Sequence, residues 1–132
     1  MIKNLVFSVV VLMLFGCAAM NKPSPEQITN ADYGGYPADY QQVIQDRLSK
    51  TMYDPYSAVF TNWRGPSKGY IYDITGVYYG YRVCVDVNGK NRLGGYVGSR
   101  PFLFIIKNNE IIKAEEGSEP DVFNVRGVCN SL

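Results

Sequence analysis

The chain has 132 residues, 13 lysines and arginines against 12 acids, 11 tyrosines, three cysteines and no histidine. Its length fits one domain, and its balanced charge supplies no basic field of the kind that nucleic-acid binding requires, so nucleic acid is set aside as a partner. Without histidine, Ser-His-Asp and Cys-His catalysis, histidine-rich zinc sites and c-type haem attachment are excluded. The expectation is a protein that is not an enzyme and needs neither cofactor nor metal.

Residues 1–16, MIKNLVFSVVVLMLFG, carry Lys3 and then an apolar run that is too short to span a bilayer as a mature helix, which is the pattern of a signal peptide. The run ends in Leu14-Phe15-Gly16-Cys17, which resembles a bacterial lipobox. That resemblance implies that Cys17 becomes the acylated, palmitate-bearing first residue. Ala18 rather than aspartate after it implies an outer-membrane address with the domain facing the periplasm. Several acyl chains, at ~0.8 kcal/mol per buried CH₂, hold a protein on a membrane far more firmly than one chain does. Residues 17–38 then read as a lipidated N-terminus and a Pro- and Gly-containing tether, with Tyr33 and Tyr36 expected to dock on the domain. Residues 39–132 form the single globular domain.

From Asp39 onward, Tyr40, Val43, Ile44, Leu48 and Met52 recur at spacings of three and four, predicting one face of a helix that lies on a sheet. Asp39 is its predicted N-cap with Gln42 three residues on, and Asp54-Pro55 its stop. Strand signals follow over residues 58–63 and 70–74, then over a long run at 76–87. In that run Val77, Tyr79, Tyr81, Val83, Val85 and Val87 alternate with more polar positions, the period of a half-buried strand. Asn88-Gly89 suits a tight hairpin turn, with residues 92–97 running back. Asn91 is placed to satisfy turn backbone, and Gly94 and Gly95 mark a bulge or a close backbone approach. Residues 102–106 and 110–113 make another hairpin across Asn108-Asn109. Ser118, Pro120 and Asp121 predict a short helix from 118 through 125. The predicted fold is α+β: an N-terminal amphipathic helix packed on an antiparallel sheet of about five strands, with a short C-terminal helix or segment stapled to the long strand.

With Cys17 lipidated, Cys84 and Cys129 remain as an even pair in an oxidising compartment, which predicts a disulfide. Three motif readings of residues 84–102 fail on specific positions. Gly89-Lys90 lacks the Ser or Thr of a phosphate loop. A calcium loop starting at Asp86 would have Asn91 where glycine belongs and Val97 where glutamate belongs. Gly94, Gly95 and Gly98 do not make a dinucleotide fingerprint. A carboxylate glycosidase would need Asp73, Asp86 or Glu115 to meet in one pocket.

Asp54-Pro55-x-Ser57-Ala58 after a helix, a Tyr-rich strand, and Cys84-x-x-Val87-Asn88-x-Lys90-Asn91-x-x-Gly94-Gly95-Tyr96-x-Gly98 resemble a group of small exported bacterial proteins and lipoproteins of the cell envelope. The likeness covers most of residues 39–129, and Val85 stands where many members carry glycine. It brings no activity with it. Tyr78, Arg82, Tyr96 and Arg100 are the candidates for an exposed binding patch, because aromatic rings bring contact area at low entropic cost. The expected partner, besides the membrane reached through the lipid, is another envelope component, protein or peptidoglycan. The alternative is inhibition of a wall-degrading enzyme such as lysozyme, with residues 92–100 inserted into its cleft.

Overall fold

The computed structural model describes residues 22–132, so the signal peptide and Cys17 lie outside the described residues. Two short helices come first, α1 (Pro25–Asn30) and α2 (Tyr40–Ser49). Helix α1 falls inside the segment expected to be a tether. Ser24-Pro25-Glu26-Gln27 closes a capping box there: the Ser24 hydroxyl accepts from the Gln27 amide, and the Gln27 side chain accepts from the Ser24 amide. The segment after α1 is packed as well, with Pro37 fully buried.

Helix α2 is shorter than its apolar periodicity predicts. It ends at Ser49, and the amides of Thr51 and Met52 both turn back to the Leu48 carbonyl. Asp39 makes no side-chain capping bond, and the Gln42 side chain, which would complete a capping box, donates instead to Asp46 at 2.7 Å. Asp54 instead caps a separate 3-10 turn, Pro55–Ser57, where its carboxylate accepts from the Ser57 amide.

Four strands follow: β1 (Val59–Asp73), β2 (Gly76–Asn88), β3 (Arg100–Lys107) and β4 (Glu110–Glu116). They pair antiparallel in the order β1-β2-β3-β4. The count of about five is corrected at two places. Residues 58–63 and 70–74 belong to one strand, because Gly65-Pro66, which reads as a break, is absorbed by two register shifts between Thr61 and Ser67. An edge strand can carry such irregularities, since its outer N–H groups have no ladder partner to lose. Residues 92–97 form no strand. Strand β2 returns as β3, with Val87 opposite Arg100.

The sheet is covered on both sides. On one face, Ile44 and Leu48 of α2 pack with Val83, Val85, Val87, Phe104 and Ile106. On the other, Ile71, Cys84, Leu103 and Ile105 pack with Val125 and Cys129 of helix α3 (Val125–Asn130). The centre of β2 is therefore buried on both sides, not on one as its alternation suggests. The Cys84–Cys129 disulfide ties β2 to α3 across this second face, with the Cα atoms 5.6 Å apart. Helix α3 begins seven residues after the predicted Ser118 start. Asn124 stands at its N-cap without a side-chain capping bond, the Asp121 carboxylate accepts from the amides of Val125 and Arg126 instead, and Cys129 lies inside the helix.

Candidate functional site

The loop joining β2 to β3 stabilises its own shape. Asn91 is its centre: its side-chain oxygen accepts from the amides of Leu93 (2.9 Å) and Gly95 (3.1 Å), its own amide donates to the Gly95 carbonyl, and its carbonyl accepts from Gly94. Gly94, at φ +79°, supplies the left-handed step that this turn needs, and no atom crowds it. The reversal thus sits at 91–95, not at Asn88-Gly89, because Asn91 offers the backbone more hydrogen bonds than a two-residue turn would. Neither Gly94 nor Gly95 marks a close approach of another backbone. Outside the turn, Lys90 bridges to Tyr96, the Val97 amide donates to the Gly89 carbonyl, and the Asn88 side chain accepts from the Gly98 amide.

This loop is bonded to the entry of β1 by Tyr96, whose hydroxyl donates to the Ser57 carbonyl at 3.0 Å. The bond joins two segments rich in exposed apolar side chains: Tyr53, Tyr56 and Val59 on one, Leu93, Tyr96 and Val97 on the other. Tyr56 is fully exposed and Leu93 is 94% exposed. Lys90 lies over the Tyr96 ring, 5.3 Å from its centroid, and Arg92 is exposed beside Leu93. The loop end is thus an apolar, aromatic surface edged with cations. Sequence reasoning did not pick out Tyr53 or Tyr56, and it reached Leu93 and Val97 only as members of the 92–100 loop offered to an enzyme cleft. The available signal was a leucine placed between Arg92 and Gly94, where a turn normally carries polar residues.

The four predicted patch residues do not share one surface. Tyr96 and Arg100 lie at the loop end, where Arg100 pairs with Glu116 at 2.8 Å. Tyr78 and Arg82 are half-buried on the disulfide face of β2, Arg82 at its midpoint and Tyr78 near its other end. The Arg82 side chain fills the space over Gly69, where any Cβ would strike it, and its Nε is buried without a hydrogen-bond partner.

Tyr78 belongs to a charged cluster. Lys113 Nζ lies 2.6 Å from Asp73 Oδ2 and 3.0 Å from Glu115 Oε1, and packs over the rings of Tyr78 and Phe123. Thr75 donates its amide and its hydroxyl proton to Asp73 Oδ1, so the Tyr78 hydroxyl donates to the Thr75 oxygen. The Lys113 ammonium, followed by Thr75, holds the Asp73 carboxyl well below the usual carboxylate range, and Asp73 in turn raises Lys113. A general acid needs a raised pKa, so Asp73 is tuned against that role. Asp86 is elsewhere, ten residues along β2 from Gly76, bonded to Arg64 at 2.7 Å and to Asn62 at 2.9 Å. Asp73 and Glu115 therefore converge on a lysine, and Asp86 does not join them. Among the described residues no three His, Cys, Asp or Glu side chains are grouped to hold a metal ion.

Comparison with family models, with curated proteins and with solved structures finds no match for this chain.

Proposed function

We propose that this protein is a non-enzymatic outer-membrane lipoprotein, anchored through Cys17, whose domain uses its loop end to bind another component of the cell envelope, a protein or peptidoglycan. The observation that carries the reading is the pairing of a self-bonded loop with a fixed neighbour: Asn91 holds 91–95, and Tyr96 holds the loop against Ser57. Exposed tyrosines, leucine and valine on a pre-ordered support give contact area with little further ordering to be lost on binding. A monomer has little other reason to concentrate them at one end. The depressed Asp73 carboxyl and its separation from Asp86 favour a binding role over carboxylate catalysis.

Pull-down from chemically crosslinked envelopes tests this. Leu93→Asp and Tyr56→Asp, both at exposed positions, are expected to lose the partner recovered with the unaltered protein, while Ile74→Asp at the opposite end of β2 keeps it. Recovery of the same partner with all three variants contradicts the reading. A protruding loop that holds its own shape also suits insertion into an enzyme cleft, which is the second reading. Slowing of lysozymes by the unaltered protein, lost with Leu93→Asp, would identify it.

A further inference from the structure

Beside the loop, between it and the C-terminal end of α2, lies a groove of about 280 Å³. Its floor is the edge of the main core: Leu48 of α2, Val87 of β2 and Phe102 of β3, with Met52 alongside. Tyr53 and Val97, 67% and 51% exposed, form its walls. Lys90 and Arg100 stand at its rim with one acid, Glu116, which is already held by Arg100. Lys90 and, on the adjoining loop, Arg92 have no carboxylate within ion-pairing distance among the described residues.

Resting on the reading of the loop end as the docking surface, we propose that this groove receives an acidic, apolar peptide segment of a partner protein. One leucine- or phenylalanine-sized side chain enters the floor, and flanking carboxylates meet Lys90 and Arg92. Two features select this chemistry. The floor of Leu48, Val87, Phe102 and Met52 carries no hydroxyl or amide side chain, and only Thr51 and Tyr53 among the lining residues bear a hydroxyl, so it offers a sugar few of the polar groups needed to orient it. The unneutralised Lys90 at the rim and Arg92 on the adjoining loop complement an acidic segment and repel a basic one.

The test uses the full-length protein in detergent and the fluorescent N-acetylated hexapeptide Asp-Glu-Leu-Phe-Glu-Asp. Its counterpart with lysine at each acidic position, a disaccharide-tetrapeptide from peptidoglycan, and vesicles containing phosphatidylglycerol serve as rivals. The acidic peptide is expected to bind about tenfold more tightly than the lysine peptide at low salt, with the difference shrinking as salt is raised. Lys90→Glu and Val97→Asp, both at sites outside the core, are expected to weaken it by about tenfold while leaving the melting temperature unchanged. Equal affinity for the two peptides, preference for the sugar or the vesicle, or indifference to both substitutions overturns the proposal. Because the pull-down above reads Leu93 and Tyr56, which do not line the groove, a partner that still depends on them would leave the binding role standing while this inference fell.

Discussion

Lys113 and Asp73 show how single residues set the pH range of the fold. The Asp73 carboxyl is depressed, first by the Lys113 ammonium and then by Thr75. Its contribution is therefore complete above its ordinary value near 3.8 and is lost as the pH falls from there through the depressed folded value. Lys113 is raised, chiefly by its hydrogen bond to Asp73, so its contribution is complete below 10.5 and is lost as the pH rises through the raised folded value. Lys113→Met is expected to lower the melting temperature at pH 7, and the gap from the unaltered protein is expected to narrow below pH 3.8 as Asp73 protonates in the unfolded chain. Thermal melts followed by circular dichroism measure this, and a gap that stays constant down to pH 2 would show that the pair contributes nothing through its charge. Asn91 is the other residue that decides local structure. Its side chain moves the chain reversal away from Asn88-Gly89, an outcome that turn propensity alone does not rank.

Among the elements, the β2 to α3 staple is the one most open to measurement. The cysteines are separated by 45 positions, and closing a loop of that length is worth about 4 kcal/mol in the chain-entropy model. The Cys84→Ala, Cys129→Ala double variant is expected to lose about that much in urea unfolding. A loss below about 1 kcal/mol would mean that the buried contacts of Val125 hold α3 without the bond. The disulfide and the antiparallel α+β class were legible because cysteine parity and the period-two alternation of β2 are local properties of the sequence. Strand β1 was not, since Gly65-Pro66 breaks a central strand but is tolerated at an edge, and edge position is set by the whole sheet. The double burial of β2 was hidden for a related reason: α3, which covers its second face, begins 37 residues after β2 ends. Of the loop end, Tyr96 and Arg100 were singled out in the sequence. Tyr53 and Tyr56 became part of it only through the long-range bond from Tyr96 to Ser57.

At the scale of the whole molecule, the two ends of the sheet meet different segments of the chain. The N-terminal segment docks at the β3–β4 turn: Asp32 pairs with Lys107 at 3.0 Å, and the Gly35 amide donates to the Asn108 side chain. Tyr33 and Tyr36 set their rings edge-on against Tyr79 and Tyr81, which fixes the path of the chain into the domain. The loop end lies at the other end of β3, about 23 Å away at ~3.3 Å per residue. In the proposed lipoprotein, the segment that leads back toward Cys17 meets the domain at one end, and Leu93 and Tyr56 stand at the other. The most direct measurement places a photo-crosslinking benzoylphenylalanine at position 93, and separately at position 26 on α1, in growing cells. The account predicts a discrete crosslinked partner from position 93 and none of that species from position 26. The same partner from position 26, with position 93 silent, would contradict it.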